Sequence, residues 1–301
     1  MFQQRENLDY PDLTMYQMVE RAKDVWPLDT AYEFFGKKTN YADFVRKINQ
    51  AARAFHRSGI RMNDRVTICM PNTPQALICF YALSRIGAVA NMVHPMSARD
   101  EITYYLNYSK SRMILTMDMF TGKVEEALEK VDHPVTILVA RMQDELPFPL
   151  NIAFMAKQGK QFLKYPNTDH AVLWTKFYEG GRILPGAKEE LPEIKYDKTR
   201  TAVILYSGGT SGSPKGICLS DYNMNAVGIQ GREVINVENI RGCKMLACMP
   251  MFHGFGLGIN IHLILSHGAC CILMPTFNQK SYAKMLVKKK PNFIAGVPTI
   301  F

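Results

Sequence analysis

Residues 201–216 read TAVILYSGGTSGSPKG, an apolar run that leads directly into a loop rich in glycine and hydroxyl groups. Residues 201–206 predict a buried strand, because strands covered on both faces read as unbroken apolar segments. In the loop, Gly208, Gly209 and Gly212 allow backbone amides to approach a ligand closely. A flexible linker is disfavoured, since linkers do not usually follow such a strand. The stretch therefore predicts a strand that presents an anion-binding loop.

The loop also carries side chains suited to phosphate. Four hydroxyl groups can donate hydrogen bonds to phosphate oxygens: Ser207, Thr210, Ser211 and Ser213. Lys215 adds a mobile cation, and Pro214 stiffens the chain before it. The order Pro-Lys-Gly separates this loop from the GxxxxGK[ST] loop of common nucleotide-binding proteins. We therefore interpret residues 207–215 as a phosphate-binding loop of another kind.

Upstream of the loop, strand patterns alternate with helix patterns. The predicted strands cover 65–70, 88–93, 113–116 and 135–139. The predicted helices cover 41–58, 75–86, 98–109 and 123–131. This alternation predicts an α/β fold with a largely parallel sheet and helices on its faces.

Two segments interrupt the alternation. Residues 141–195 contain five prolines and are predicted to form a surface excursion, with a short basic and apolar helix over 152–163 that could contact a membrane surface. Residues 245–279 lack charged side chains and are longer than a membrane span requires. Their prolines and glycines instead predict a strand at 245–249, a loop, a helix over 259–265 and a strand at 270–274.

The charge is +9 and unevenly distributed, because residues 201–301 hold 9 Lys and Arg against 3 Asp and Glu. This balance favours a polyanionic ligand such as ATP or coenzyme A. The hypothesis of a nucleic-acid-binding protein would rest on net charge alone, since residues 288–290 form the only basic run in the sequence. Seven cysteines without a CxxC pair, and the lack of a secretory signal at the start, predict a cytoplasmic protein.

The phosphate loop resembles the signature of the adenylate-forming, AMP-binding superfamily, which includes the acyl-CoA synthetases. Segments at 70–74, 249–256 and 296–299 resemble further family motifs in the same order, the last of them a late strand. Asp221 stands where the family usually has His. The resemblance implies stacked αβαβα lobes in a large N-terminal domain that is truncated before its barrel and C-terminal domain. The first lobe would span 59–222, and an incomplete second lobe would comprise 1–58 and 223–301.

The resemblance implies that a carboxylic acid, of the fatty-acid type, reacts with ATP to give an acyl-adenylate and then a thioester with coenzyme A. ATP, Mg²⁺ and coenzyme A would be needed. The phosphate contacts would come from Ser207, Gly208, Gly209, Thr210, Ser211, Gly212, Ser213 and Lys215. Thr210 would also contact the metal, and Lys215 and His253 would be catalytic. Phe252, His253 and Gly254 would bind the substrate, whereas His262 and His267 are interpreted as helix or turn residues.

Two alternatives stay open. An amino-acid adenylation domain would need an Asp after an aromatic residue to hold the amino group, and Met251-Phe252-His253 lacks it. The second alternative is a nucleotide-binding fragment without catalysis of its own. Family segments that hold Mg²⁺, the ribose and a catalytic lysine are expected beyond Phe301, so the 301 residues alone are predicted to be inactive.

Overall fold

The computed structural model describes residues 8–158, 170–183, 191–208, 214–235, 237 and 239–298. The strands are β1 (Thr30–Phe34), β2 (Lys37–Asn40), β3 (Arg65–Cys69), β4 (Val89–Met92), β5 (Met113–Met117), β6 (Thr136–Ala140), β7 (Ala171–Leu173), β8 (Thr201–Ser207), β9 (Lys215–Ser220), β10 (Lys244–Ala247), β11 (Cys270–Leu273) and β12 (Phe293–Ile294). The α-helices are α1 (Met15–Val25), α2 (Tyr41–Arg57), α3 (Pro74–Arg85), α4 (Arg99–Ser109), α5 (Thr121–Leu128), α6 (Leu150–Gln158), α7 (Trp174–Glu179), α8 (Asp221–Ile235), α9 (Leu263–Ser266) and α10 (Gln279–Lys289).

A seven-stranded sheet has the order β7-β6-β5-β3-β4-β8-β9. Every neighbouring pair is parallel except β8 and β9, which are antiparallel. The inner strands β4 and β5 are buried along their whole length, in keeping with their unbroken apolar sequences. The predicted α/β fold with a largely parallel sheet is confirmed, and the five strands predicted between residues 65 and 206 are present with bounds that differ by at most one residue.

A five-stranded sheet has the order β12-β10-β11-β1-β2. Its edge is a hairpin of β1 and β2 that the sequence patterns did not predict. Phe35 and Gly36 form the turn with φ angles of 47° and 94°. Two positive φ angles define the tight turn that suits a hairpin, and Asn-Gly or Asp-Gly is its usual sequence signal. Phenylalanine in the first position therefore concealed the hairpin.

Helix α3 is buried on all sides, from Pro74 to Ser84. Its sequence is apolar around the whole circumference, as expected of a helix without a solvent face. Thr73 caps the helix by accepting a hydrogen bond from the backbone N–H of Ala76. A continuous core of buried side chains extends from one sheet to the other across this helix. The core includes Val66 and Ile68 of β3 and Ala90 and Met92 of β4.

The uncharged stretch after residue 245 is folded almost as predicted. β10 and β11 are the two expected strands, and the expected helix starts earlier, as a π-helix over Gly256–His262 that continues into α9. The wider π turns begin where Gly256 packs against the backbone of Pro250. In the described part of the chain, no helix is both long and apolar enough to cross a membrane.

The predicted late strand and the predicted basic and apolar helix differ from the structure in their bounds. The late strand predicted at 296–299 is displaced, since β12 covers Phe293–Ile294 and residues 295–297 have no regular structure. Helix α6 begins two residues before the predicted basic and apolar helix, whose part from 159 to 163 lies outside the described residues. The predicted surface excursion contains β7 and α7, which add an edge strand and a short helix to the seven-stranded sheet.

We retain as a proposal the division into lobes at 59–222 and at 1–58 with 223–301. The strands are distributed in agreement with it, because β3 to β9 form one sheet and the remaining strands form the other.

Candidate active site

The two ends of the predicted phosphate loop lie side by side. In the antiparallel pair of β8 and β9, Ser207 is opposite Lys215 and Tyr206 is opposite Gly216. Side chains of directly opposed residues project from the same face of a sheet, with Cβ atoms about 5 Å apart. Ser207 and Lys215 are both exposed. A ligand on this face would meet a hydroxyl donor and a cation together.

The described part of the loop after Ser207 is Gly208. Gly208 is exposed, and nothing lies within 4 Å of the position that a Cβ atom would take there. Five predicted phosphate-binding residues lie outside the described residues: Gly209, Thr210, Ser211, Gly212 and Ser213. Their phosphate contacts, and the metal contact of Thr210, stay predictions.

The carboxyl ends of three neighbouring parallel strands meet beside the loop. β8 ends at Ser207, β4 leads to His94, and β3 leads to Asn72. In open α/β sheets, ligands bind in the crevice outside the carboxyl ends of the strands. The loop therefore begins at the sheet edge where this fold places its ligands.

The predicted substrate residues approach the same edge from the other sheet. Phe252 is buried with its ring centroid 4.3 Å from the ring of His94, and His253 is exposed beside it with the ring centroids of Phe252 and His253 4.9 Å apart. A Cβ atom at Gly254 would lie 3.3 Å from Leu205 Cδ1, two residues before the loop. The segment 252–254 thus packs against the ends of β4 and β8.

Asn72, which follows β3, holds the residues that directly precede this segment. Its side-chain amide donates to the carbonyl oxygens of Ala247 at 3.0 Å and Met249 at 2.9 Å, and its Oδ1 accepts from the backbone N–H of Met251 at 2.9 Å. The side chain is buried, so these bonds satisfy backbone groups that water does not reach. The sequence resemblance included Asn72 without assigning it a role.

Gly256 allows the segment to turn tightly. A Cβ atom at this position would lie 2.1 Å from the carbonyl oxygen of Pro250, a distance that no side chain can adopt. The backbone N–H of Leu257 donates to the carbonyl of His253 at 2.9 Å and continues the turn into the π-helix. Single π turns inside helices are frequent at functional sites.

His94 is a site residue that sequence reasoning missed. Its Nδ1 accepts a hydrogen bond from the backbone N–H of Met96 at 2.8 Å. Burial, followed by the nearby His253 and Lys123, lowers the pKa of His94 from its ordinary value of 6.5. The imidazole is therefore held mainly neutral near pH 7. Its position directly after a buried strand was the only signal in the sequence.

Two other polar residues are structural. His262 is fully buried, with Nδ1 3.1 Å from the hydroxyl of Tyr81 and Nε2 2.8 Å from Oδ1 of Asn225. Asp221, which stands in place of the usual family His, is buried in an ion pair with Arg200. Both lie in the core, in agreement with the interpretation of His262 as a helix residue.

The described residues contain no group of three or more His, Cys, Asp or Glu that could hold a metal ion. The site as described can supply one ammonium group, a hydroxyl and two imidazoles at the carboxyl edge of a parallel sheet, from Lys215, Ser207, His94 and His253. Such a set can bind an anion and orient a second reactant, but it contains no carboxylate for a divalent cation.

The chain is similar in sequence to several CoA ligases. The chain is 28% identical over 299 residues to the long-chain-fatty-acid–CoA ligase of Bacillus subtilis, a match that covers 98% of this chain and 52% of the relative. It is 22% identical over 290 residues to the crotonobetaine/carnitine–CoA ligase of Proteus mirabilis, covering 94% of this chain and 50% of the relative. The chain therefore spans about half the length of the curated relatives it matches.

Solved structures show the same fold. The long-chain-fatty-acid-CoA ligase of Archaeoglobus fulgidus superposes with a TM-score of 0.77 at 23% identity, covering 98% of this chain and 53% of that one. The benzoate CoA ligase of Burkholderia xenovorans gives a TM-score of 0.75 at 20% identity, covering 96% and 51%. In sequence, residues 19–301 match the description "AMP-binding enzyme", and since this is most of the chain, the protein belongs to the AMP-binding enzyme family.

Proposed function

We propose that this chain supplies the ATP-binding part of an acid–thiol ligase that converts a carboxylic acid to its CoA thioester. In the first step a carboxylate oxygen attacks the α-phosphorus of ATP, and the bond to pyrophosphate breaks. In the second step the sulfur of coenzyme A attacks the acyl carbon, and AMP leaves. The names of the two relatives given above, both CoA ligases, support this reaction type.

The observation that carries the proposal is the pairing of Ser207 with Lys215 beside the segment 252–254. A polyphosphate gripped by the loop would extend along the carboxyl edge of β8. Lys215 would neutralise charge that accumulates on the leaving pyrophosphate, an electrostatic contribution that requires prior positioning. His253 would lie where the reacting carboxylate meets the α-phosphate. Mg²⁺, when bound, would share the neutralisation, with Thr210 as the proposed contact from this chain.

A fatty acid is the acyl substrate we propose. It is supported by the long-chain-fatty-acid ligase among the relatives and by the apolar π-helix that follows Gly254. Other relatives are named for crotonobetaine, carnitine or coumarate, and these carboxylates are the alternatives to test. The missing Asp after Phe252 argues against an amino acid.

Two proposals concern location. We propose that the protein works in the cytoplasm, since its seven cysteines form no disulfide among the described residues and five of them are buried. We also propose that α6 makes peripheral contact with membranes. Exposed apolar side chains support this contact: Phe148, Leu150, Ile152 and Met155.

Thermal unfolding with ATP tests the proposed nucleotide site in the 301-residue chain. ATP should raise the unfolding midpoint of the wild type and of Lys284→Ala, which removes an exposed lysine on α10. It should have little effect on Lys215→Ala. If ATP leaves the wild-type midpoint unchanged, or stabilises all three proteins equally, the proposed site is wrong.

Pyrophosphate release tests the catalytic step. We expect the 301 residues alone to release no more pyrophosphate with ATP and palmitate than Lys215→Ala does. The full-length product of the gene should show ATP–pyrophosphate exchange that depends on palmitate more than on benzoate or phenylalanine. Exchange that depends on phenylalanine would instead support an amino-acid adenylation domain.

A further inference from the structure

Four tyrosines form a cluster against the strands that carry the phosphate loop. Three lie on α4 and one on β8: Tyr104, Tyr105, Tyr108 and Tyr206. The rings of Tyr104 and Tyr108 stack with their centroids 5.6 Å apart, and those of Tyr105 and Tyr206 are 4.2 Å apart. A Cβ atom at Gly216 would lie 2.9 Å from the ring of Tyr108. The cluster therefore covers β9 immediately beside Lys215.

The hydroxyl of Tyr104 anchors the end of the loop. It donates a hydrogen bond to the carbonyl oxygen of Pro214 at 3.0 Å. Pro214 directly precedes Lys215, and its nitrogen carries no hydrogen, so its carbonyl is the only backbone group through which it can be held. The bond joins the loop to α4, an element outside the pair of strands that the loop connects.

The hydroxyl of Tyr206 anchors the start of the loop. It donates to Asn91 Oδ1 at 2.8 Å. Asn91 is fully buried, and its Nδ2 donates to Thr67 Oγ1 at 2.8 Å and Ser109 Oγ at 3.1 Å. Burial raises the pKa of Tyr206, so the phenol stays a neutral donor. This network crosses from β8 through β4 to β3 and holds the residue before Ser207.

We propose that Tyr104 and Tyr206 are positioning residues, which fix the two ends of the phosphate loop through their hydroxyl groups and thereby hold Lys215 and Ser207 for a polyphosphate. The inference rests on the proposed function for the identity of the ligand. The anchoring itself rests on the two hydrogen bonds. Neither residue touches the reacting groups in this role.

The alternative role for these tyrosines is ring packing. Substitution by phenylalanine separates the two roles, because it removes the hydroxyl and keeps the ring. Tyr108→Phe is the matched control, since Tyr108 belongs to the same cluster and its hydroxyl has no hydrogen-bond partner among the described residues. Tyr206→Phe would leave the buried Asn91 Oδ1 without its donor, so Tyr104→Phe is the cleaner variant.

Limited trypsin digestion measures the anchoring without nucleotide. Cleavage after Lys215 requires local opening of the strand pair, and cleavage after the exposed Lys157 on α6 provides an internal reference. Relative to that reference, Tyr104→Phe should accelerate cleavage after Lys215 about five-fold, equivalent to about 1 kcal/mol for one hydrogen bond. Tyr108→Phe should match the wild type. Equal cleavage in Tyr104→Phe and Tyr108→Phe would overturn the inference.

Calorimetric titration connects the anchoring with the ligand. Tyr104→Phe should weaken ATP binding by about five-fold, while Tyr108→Phe should bind ATP as the wild type does, because it removes a hydroxyl that does not hold the loop. Equal weakening in Tyr104→Phe and Tyr108→Phe would overturn the positioning role. A wild-type chain that binds no ATP would contradict the proposed function, while the trypsin comparison would still decide whether Tyr104 anchors the loop.

Discussion

Asp221 and Arg200 form an ion pair that is almost completely buried, with Asp221 Oδ2 2.5 Å from Arg200 Nη2 and the two side chains 0% and 6% exposed. Asp221 Oδ1 also accepts from the backbone N–H of Met15 at 2.9 Å, and Arg200 Nη1 donates to the carbonyl of Gly87 at 2.8 Å. The pair therefore connects the starts of α1, β8 and α8. Asp221, which stands where the family usually has His, therefore has a structural role as the buried partner of Arg200.

We expect Asp221→Asn to lower the free energy of unfolding by about 3–5 kcal/mol, because it leaves the guanidinium of Arg200 buried without a counter-charge. Urea unfolding measures this loss. Adding Arg200→Met should recover part of it, since the uncompensated charge is then removed. Asp43→Asn breaks an exposed ion pair with Arg46 and should cost at most about 0.5 kcal/mol. Equal costs for Asp221→Asn and Asp43→Asn would contradict a buried pair.

The parallel sheet could be predicted from the sequence, because apolar strand patterns that alternate with helix patterns are local features of the chain. The apolar strand at 201–206 and the loop after it predicted an anion-binding loop, and the alternation of strands and helices predicted the largely parallel sheet. The relationship between Asp221 and Arg200 was not predictable in this way. Each is an ordinary charged residue in the sequence, and their burial depends on contacts between segments far apart in the chain, such as Met15 with Asp221 and Gly87 with Arg200.

His94 illustrates the same limit at the site. Its contact with Phe252 joins the two sheets, although the two residues are 158 positions apart in the sequence. The spacing of apolar residues along the chain cannot predict a contact over such a separation. Phe252 and His253 were found from a motif, whereas His94 had none. Residues that act through a partner on another sheet are the ones that sequence reasoning misses here.

We expect Asn72→Ala to lower the free energy of unfolding by about 3 kcal/mol, because two buried carbonyls and one buried N–H lose the side chain that they bond to. Asn107→Ala is the matched control. Asn107 also makes two hydrogen bonds to backbone groups, with Lys130 and Asp132, but in an exposed setting. Water can replace those bonds, so the cost should stay below about 1 kcal/mol. Similar losses in the two variants would mean that Asn72 does not hold the segment 249–251.

Gly256→Ala should destabilise the protein by about 2–3 kcal/mol, because the added methyl group meets the backbone carbonyl of Pro250, which cannot rotate away. The segment that carries His253 should shift as well, which would weaken any ligand contact it makes. Gly122→Ala is the control, since nothing lies within 4 Å of its Cβ position in α5. It should be neutral or stabilising by about 0.5 kcal/mol. Urea unfolding of both variants checks the contrast.

The buried His262 makes stability depend on pH. Burial, with a smaller contribution from His267, lowers the pKa of His262 from 6.5 to about 3. Below pH 6.5 the unfolded chain binds a proton that the folded chain does not, so the free energy of unfolding falls as the pH falls toward 3. The loss can reach about 1.4 kcal/mol per pH unit.

We therefore expect the wild type to lose about 2 kcal/mol more than His262→Gln between about pH 7 and about pH 5. The comparison concerns the change with pH, because His262→Gln also alters the hydrogen bonds to Tyr81 and Asn225 and so changes stability at every pH. His170→Gln, which removes an exposed imidazole, should follow the wild type. Urea unfolding at the two pH values measures these free energies. Equal losses of stability in the wild type and His262→Gln would show that the folded chain also protonates His262 in this range, which would contradict its lowered pKa.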